Sequence, residues 1–430
     1  MLRVGFARVD ITPPLGSPLA GYYEARPADG VLDPIELNAL AFCDGNNTVV
    51  LIVGDLLYVT EMAATPIREK VSAAVGISAE NVIVQGLHQH TSMRIGERGT
   101  FYTDSMRDAA YLDVLYRKYC DVARMAIDDL HGATVGVAEN ETAVPLSFVR
   151  RFRMKDGSLR TNPGRLNGDV SHPIGEADNT VRLVRFFRED ANDIALVNFS
   201  THPDVINGNK ISADWPGFVR RITEKELPNV HCVLVNGCQG DTNHIDISKP
   251  DLGMTNYDYS RFMGQIIVDT LLPLWENTHS ICATPMRAHV EMQYIPTNTV
   301  GMDEVEKFKK IAADYEAGLL PDLPLDDCGE FERISTLYEE KLFQKVPVTA
   351  VRMGDMGIFG FGGEPFTQYA ADVREAHPDL FLIAACLVNG GEGYLPTKEA
   401  FDEGGYEAKS SRFTPCVEEV LTTCASALLN

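Results

Sequence analysis

The 430-residue sequence is poor in positive charge: 38 Lys and Arg residues stand against 61 Asp and Glu, which gives a formal net charge of −23. A surface this acidic repels the phosphate backbone of nucleic acids and anionic membranes. The composition therefore excludes a broad nucleic-acid interface. A local basic patch can still bind a small anionic molecule, so a small-molecule substrate remains open.

Long apolar runs and paired cysteine motifs are also missing. The longest unbroken apolar run, Leu380 to Val388, is far too short to cross a bilayer. The N-terminal segment MLRVGFARVDITPP lacks the basic and then apolar pattern of a signal peptide. The nine cysteines form no Cys-x-x-Cys pair, and Cys232 and Cys386 lie in apolar runs, as buried thiols do in a reducing compartment. We therefore predict a cytoplasmic protein without a membrane anchor.

The residues that are present have ordinary globular proportions, 45% hydrophobic and 23% charged. Short β-branched runs alternate with longer helical patterns, which predicts an α/β fold with a mixed β-sheet core and flanking helices. We expect a single domain over residues 1–430. The charged stretch Thr297 to Gln344 has a helical pattern broken by the prolines of LLPDLPLDD. We interpret it as a peripheral helical insertion, although a connecting helix pair of the main domain fits equally well.

Several polar residues fall near the ends of predicted strands. The predicted strands are 2–11, 48–54, 82–86, 194–200, 233–236, 348–352, 357–361 and 381–388, and the predicted helices are 60–75, 106–130, 214–225, 257–275, 365–376 and 417–428. Open α/β sheets build their sites from loops beyond the carboxyl ends of strands. We therefore expect one site at strand ends, drawn from His88, His202, Asp241, Glu364 and Asn389.

The segment GLHQHTS carries His88 and His90 directly after a predicted strand. Alternate residues of an extended chain point the same way, so both imidazoles can face one pocket. This pattern favours one metal ligand and one histidine that assists the metal or acts in catalysis. Two polar residues in a surface loop would give the same pattern.

His202 follows the strand IALVNFS, and Glu364 follows two glycines at a strand-to-helix junction. Each has a simpler interpretation, because a histidine can cap a strand end and the helix dipole favours an acid in a first turn. Two histidines and one carboxylate from separate strand ends, with one position open for water, are nevertheless what a catalytic zinc site requires.

Two further residues are better explained by structure than by chemistry. Asp214 stands before Trp215-Pro216, where it fits a helix N-cap better than a metal ligand. Cys238, in VNGCQGD, has no sequence neighbour that would lower its thiol pKa. We therefore favour a structural role for Cys238 over a nucleophilic one.

In their order along the chain, these motifs resemble the catalytic domain of the neutral, non-lysosomal ceramidase family. The opening GFARVDITPPLGSPLAGYYEARPADGVLDPIELNALAF resembles the family's N-terminal segment. The family motifs HTHSGP, GDVSPN, PGEFTT and NxYxxYVTTxEEY are matched by residues 88–92, 240–244, 363–367 and 389–401, and the second histidine strand by Thr201-His202. The resemblance extends through nearly the whole chain.

The resemblance implies roles for individual residues. The ligands of a Zn²⁺ ion, together with a water molecule, would be His88, His202, Glu364 and Tyr394. His90 would stabilise the tetrahedral oxyanion, and Tyr406 would hydrogen-bond the reacting centre. Asp241 is our candidate for a carboxylate that manages protons near the metal.

The sequence also departs from the family. Asn243 replaces the serine of GDVSPN, and Val149 replaces the asparagine before the arginine matched by Arg150. Neither Arg150 nor Asn243 has an assigned role for this reason. MRIGERGTFY replaces a Gly-Pro-rich stretch and should reshape the pocket entrance, where Arg94 and Arg98 could meet an anionic group of the substrate.

We therefore predict a zinc-dependent hydrolase that cleaves an amide bond of a small N-acyl substrate through a zinc-activated water. One alternative is a non-catalytic binding protein with the same fold. Another is a zinc-dependent esterase or lyase acting on a carbohydrate-type substrate, because fold and metal alone do not fix a reaction. The sequence leaves open a homo-oligomer and a second metal ion.

Overall fold

The structure is a computed structural model, and it describes residues 1–23, 26–93, 95, 109–317, 325–337 and 342–430. Most of its strand residues form two sheets. Their strands are β1 (Arg3–Asp10), β2 (Glu36–Cys43), β3 (Thr48–Gly54), β4 (Val82–Gly86), β5 (His131–Glu141), β6 (Thr180–Arg188), β7 (Asp193–Phe199), β8 (Val230–Asn236), β9 (His279–Ile281), β10 (Met286–Pro296), β11 (Phe343–Met353), β12 (Met356–Phe361) and β13 (Phe381–Ala385).

Helices of the described residues pack on these sheets or on one another. They are α1 (Glu61–Val75), α2 (Ala109–Asp128), α3 (Asp214–Glu226), α4 (Asn256–Glu276), α5 (Met302–Glu316), α6 (Leu325–Leu337), α7 (Thr367–Ala376), α8 (Lys398–Glu403), α9 (Tyr406–Ser410) and α10 (Val417–Leu429). None of them is both long and apolar enough to cross a bilayer.

The larger sheet has the strand order β8-β7-β6-β5-β1-β2-β3-β4, with β9 paired to β5. The pairs β7–β8 and β3–β4 are parallel and the other pairs are antiparallel. In β3, Val50 and Ile52 face a core formed with α1 and α2, while Leu51 and Val53 face a core that includes α3 and α4. Burial on both faces explains why this strand is an unbroken apolar run rather than an alternating one.

The smaller sheet has the order β10-β11-β12-β13, and only its β12–β13 pair is parallel. Phe359 and Phe361 of β12 pack against Tyr369 of α7 and Leu421 of α10 in a third apolar core. The helices α7 and α10 therefore cover one face of this sheet.

Buried amide side chains join the two sheets. Gln85, at the end of β4, donates from Nε2 to the Asn236 carbonyl at 2.8 Å and to the Cys386 carbonyl at 2.9 Å. Asn198 of β7 donates from Nδ2 to the Ala384 carbonyl of β13 at 3.0 Å. Buried polar groups must find such partners, so these bonds fix how the strand ends meet. The ends of strands from both sheets are thus brought to one place.

The predicted α/β fold with a mixed sheet core and flanking helices is confirmed. Strands β2, β5, β6, β9 and β10 were not predicted from the sequence. In β10 the side chains of MRAHVEMQYIP are mostly exposed or partly exposed, and β5 carries two glycines and a polar end. Neither β5 nor β10 has the apolar run by which the predicted strands were identified.

The stretch 297–344 contains α5 and α6, and the single-domain interpretation stays a prediction. Helix α6 packs against α9. A Cβ atom placed on Gly329 would lie 2.8 Å from Cε2 of Tyr406 and 2.8 Å from Cβ of Ser410. A glycine is therefore needed where α6 contacts α9, and α9 begins at one of the predicted site residues.

A buried ion pair ties the larger sheet to α3. Arg220 donates to Asp55 at 2.9 Å (Oδ1) and 2.5 Å (Oδ2), and the Asp55 side chain is fully buried. Asp55 also accepts from Gln89 Nε2 at 2.9 Å. Because Gln89 stands between His88 and His90, this pair anchors the segment that carries both histidines.

We predict that Arg220→Met lowers the free energy of unfolding by about 3–5 kcal/mol, because it leaves the Asp55 carboxylate buried without its cation. Urea denaturation followed by circular dichroism measures this change. The matched control is Arg261→Met. Arg261 pairs with Asp258 at the surface, so its replacement should change the free energy of unfolding by at most about 0.5 kcal/mol. Equal shifts in the two variants would contradict the assignment.

Candidate metal centre

Three side chains from separate strand ends converge in the interior. His88 follows β4, His202 follows β7, and Glu364 follows β12. Glu364 Oε2 lies 3.2 Å from His88 Nε2 and 3.4 Å from His202 Nε2. One ligand atom from each residue falls within 4.8 Å of the others, and all three residues are buried. The structure thus brings together three of the four predicted ligands, which come from separate sequence motifs.

Backbone carbonyls orient both imidazoles. His88 Nδ1 lies 3.1 Å from the Leu57 carbonyl, and His202 Nδ1 lies 2.8 Å from the Gln239 carbonyl. A carbonyl oxygen only accepts, so each Nδ1 carries the proton and each Nε2 presents a lone pair toward Glu364. This is the tautomer that a metal-binding histidine requires.

The backbone around the site is held in uncommon conformations. His88 has φ +78°, a left-handed value that is rare for a residue with a Cβ atom. Its amide donates to the Leu56 carbonyl at 2.8 Å. Glycines permit the close approach of the Glu364 loop, because a Cβ atom on Gly240 would lie 2.3 Å from the Glu364 carbonyl oxygen.

The charges at the site suit a divalent cation. Burial by itself would raise the pKa of the Glu364 carboxyl, but the adjacent His88 and His202 hold that pKa well below its usual range. Burial, followed by the nearby Arg150 guanidinium, lowers the pKa of His202 to about 3. Glu364 Oε2 is buried and accepts no hydrogen bond among the described residues. An ionised carboxylate in this position is costly unless a cation balances it.

The donor set fits zinc. Two neutral imidazoles and one carboxylate are ligands that Zn²⁺ accepts, and three protein ligands with an open position are typical of catalytic sites. Softer ions would be expected to attract cysteine, and no cysteine belongs to this group among the described residues. The residues present therefore fit the metal that the sequence predicted.

Tyr394 and Tyr406 lie beside the three ligands. Tyr394 pairs in parallel with Glu364 in a short two-stranded contact, and its ring lies 6.4 Å from that of His202 and 5.4 Å from that of Tyr406. Burial raises the pKa of Tyr394 well above its usual value. The Tyr406 hydroxyl lies 3.0 Å from the Tyr23 hydroxyl. The predicted metal role of Tyr394 and the substrate role of Tyr406 stay predictions.

Arg150, to which the sequence assigned no role, lies at the site. Its NH1 is 3.2 Å from His202 Nε2, and its NH2 donates to the Gly240 carbonyl at 2.8 Å. The fully buried Glu407 accepts from Arg150 Nε at 2.7 Å. Sequence reasoning missed Glu407, and the only available signal was an acid directly after Tyr406. Arg150 thus places a guanidinium next to the ligands, and Glu407 balances its charge.

Asp241 does not join the other site residues. Its Oδ1 accepts from the Thr367 amide at 2.8 Å and from the Thr367 hydroxyl at 2.9 Å, which satisfies the first turn of α7. It lines a cavity of about 780 Å³ that also includes Arg151 and Arg374. The described residues around the His88 cavity do not include Asp241. The geometry thus gives Asp241 a helix-stabilising position and offers no support for its proton-transfer role.

Three other polar residues singled out in the sequence also have structural partners. Asn243 donates from Nδ2 to Asn162 Oδ1 at 2.6 Å. Asn389 exchanges hydrogen bonds with the backbone of Val84 in β4. Asp214 begins α3 and accepts from the Trp215 amide at 2.6 Å, and it is not part of the metal-binding group.

The described residues form a cavity of about 50 Å³ that is lined by two of the three ligands, His88 and Glu364. Its walls include Tyr22, Tyr23, Tyr58, His90, Tyr394 and Tyr406. A volume of this size has room for a few water molecules or a small reacting group. Arg94 and Arg98, proposed from the sequence to meet the substrate, lie outside the described residues.

No protein-family model and no curated protein matches the sequence. Solved structures do match. A neutral ceramidase from Pseudomonas aeruginosa superposes with a TM-score of 0.77 at 14% identity, over 100% of this chain and 74% of that chain. The chain has a ceramidase-like fold. A ceramidase complexed with C2 matches over the same shares, with a TM-score of 0.76 and 14% identity. The architectural resemblance expected from the motifs is confirmed, and an identity this low establishes the fold alone.

We predict that His202→Ala abolishes stoichiometric zinc binding, because it removes one of three protein ligands. Elemental analysis of purified protein, dialysed after zinc loading, measures the metal content. His244→Ala is the matched control, since His244 lies outside the group of possible ligands and its loss should leave about one zinc per chain. Zinc retained by His202→Ala, or lost equally in both variants, would contradict the site.

Proposed function

We propose that the protein is a zinc-dependent amidohydrolase that cleaves the amide bond of a small N-acyl substrate. The observation that carries this proposal is the buried His88–His202–Glu364 group at strand ends of a fold shared with ceramidases. Ceramidases hydrolyse an amide bond, and the solved structures of similar fold bear that name. An amide hydrolase is therefore the reaction class that both the ligands and the fold support.

His88 Nε2, His202 Nε2 and the Glu364 carboxylate would hold the ion, with Tyr394 as the further ligand that the family resemblance implies. When bound, zinc lowers the pKa of a water molecule to about 7 and polarises a carbonyl group. The carbonyls of Leu57 and Gln239 keep both imidazoles in the required tautomer. Preorganised ligands of this kind need no rearrangement to receive the metal.

Side chains beside the ligands can stabilise the negative charge that develops on the carbonyl oxygen. Arg150 is held by Glu407 with its NH1 directed to the ligand His202. Tyr406 and His90 line the cavity. A preorganised donor aimed at such an oxygen is worth about 3–4 kcal/mol of the activation barrier. These residues would therefore bind the tetrahedral intermediate more tightly than the substrate.

The site favours a small polar substrate over a membrane lipid. The cavity formed by the described residues is small and carries several tyrosine rings. The net charge of −23 disfavours an anionic membrane surface. An N-acylated sugar or amino acid derivative fits these constraints.

A non-catalytic binding protein is the second candidate. The observation in its favour is Asn243, which stands where ceramidases carry a serine. The Asn243 side-chain amide donates a hydrogen bond to Asn162. No hydroxyl is therefore available from that position. A lyase acting on a carbohydrate-type substrate is separated from a hydrolase by its products, since only hydrolysis incorporates solvent oxygen.

We predict that the zinc-loaded protein hydrolyses short N-acyl compounds in ¹⁸O water and places one ¹⁸O atom in the acid product. Mass spectrometry of the products measures this. Tyr406→Phe should retain zinc and lower kcat about 10²- to 10³-fold, because it removes one donor to the oxyanion.

The matched control is Tyr259→Phe. The Tyr259 hydroxyl donates to the His244 carbonyl away from the cavity, so its loss should leave kcat unchanged. Products without ¹⁸O would indicate a lyase. Zinc binding without turnover of any N-acyl or ester substrate would favour the binding protein.

A further inference from the structure

A second cavity, of about 780 Å³, has no part in the proposed function. Its walls come mainly from the segment before β6, from α7 and α8, and from the start of α10. Among the described residues, it shares no lining residue with the cavity at His88. Small-molecule sites usually have volumes of about 300–1,000 Å³. A ligand of that size therefore fits here without entering the metal centre.

The lining of this cavity carries an excess of negative charge. Three guanidiniums line it, and each already has a carboxylate within ion-pair distance. The pairs are Arg151–Glu403 at 3.0 Å, Arg182–Glu139 at 2.9 Å and Arg374–Asp178 at 3.0 Å. Five further lining carboxylates form no ion pair with any described residue; they belong to Glu176, Asp241, Asp372, Glu399 and Glu418. The cavity therefore attracts cations and repels anions.

Three of these acids come from three different helices and interact electrostatically. Asp372 lies in α7, Glu399 in α8 and Glu418 at the start of α10, and we call them the Glu418 group. The pKa of the partly buried Glu418 carboxyl is raised, first by burial and then by the negative charges of Asp372 and Glu399. A cation bound among the three would relieve this repulsion.

Asp241 is the most buried of the five acids, with 5% of its surface exposed. Its Oδ1 accepts from the amide and the hydroxyl of Thr367, whereas its Oδ2 accepts no hydrogen bond from another described residue. Gly175 lines the cavity beside this oxygen, and a Cβ atom there would lie 3.5 Å from Oδ2. The missing side chain leaves Oδ2 facing the cavity. A buried carboxylate oxygen without a donor is costly, so this position favours a ligand that supplies an N–H group.

The carboxylates of the cavity are too far apart to share one metal ion. Among the described residues, no three of them bring oxygen atoms within 4.8 Å of one another. Calcium needs about six to eight oxygen ligands around one point. A longer molecule with positive charges at two ends can instead reach Asp241 and the Glu418 group separately.

We propose that this cavity binds an organic cation with two ammonium groups, of which an aliphatic diamine is the simplest. One ammonium donates a hydrogen bond to Asp241 Oδ2, and the other lies among the Glu418 group. Primary amines have pKa values of about 10 and are therefore charged at neutral pH. The apolar side chains of Ile174, Phe366 and Ala371 also line the cavity, where they can contact the methylene groups. This binding requires neither the metal nor the proposed hydrolysis.

Isothermal titration calorimetry with 1,4-diaminobutane tests the site on zinc-loaded and on metal-free protein. At about 0.15 M salt, the attraction of distant surface charges is screened. We expect about one diamine bound per chain, with the same affinity in both forms. Asp241→Asn should weaken binding about tenfold or more, because it removes the charge that the ammonium contacts while its amide oxygen can still accept from Thr367. Glu418→Gln should weaken binding as well.

The matched control is Asp246→Asn. Asp246 does not line the cavity, and its side chain accepts from the Ser248 hydroxyl within its own turn, so this change should leave the affinity unaltered. The uncharged analogue 1,4-butanediol should not bind.

The proposal would be overturned by an absence of binding, or by binding that disappears when zinc is removed. Many weak sites that neither Asp241→Asn nor Glu418→Gln changes would also overturn it, because they would mean that the acidic surface alone attracts the diamine. Circular dichroism checks that each variant is folded. Glu418→Gln decides the result if Asp241→Asn is not folded.

Discussion

The site depends on one electrostatic requirement, which is that the ionised carboxylate of Glu364 must be balanced in the protein interior. Its Oε2 is buried and faces the Nε2 atoms of His88 and His202. Imidazoles that turn Nε2 lone pairs toward the carboxylate do not balance its charge, whereas a divalent cation between the three would. The ion pair between Arg150 and Glu407 lies beside these residues, and its two charges balance each other. A bound metal ion therefore accounts for the buried carboxylate, and side-chain packing alone does not.

The fold supplies this arrangement by joining two sheets at their strand ends. Amides such as Gln85 and Asn198 cross the junction inside the core, where their hydrogen bonds are strong because water is excluded. A glycine at position 240 lets the turn after β8 contact the Glu364 backbone closely. The ligands consequently stand within three residues of strands that belong to the packed core, which favours a defined geometry at the site.

The sequence predicted the buried group of His88, His202 and Glu364 better than its surroundings. His88, His202 and Glu364 each follow an apolar strand, and strand ends of an α/β sheet meet at one place. Glu407 could not be found in this way, because it meets Arg150 from a distant part of the chain. The sequence made Asp241 a candidate for managing protons near the metal, and a sequence does not reveal that its carboxylate binds the first turn of α7.

The account rests on a metal ion between three residues, and anomalous diffraction from crystals of the zinc-loaded protein tests this most directly. Data collected on either side of the zinc absorption edge locate the ion without assumptions about its ligands. We predict one peak within about 2.0–2.2 Å of His88 Nε2, His202 Nε2 and a Glu364 oxygen. A peak elsewhere, or no peak at this position in crystals grown with excess zinc, would contradict the account.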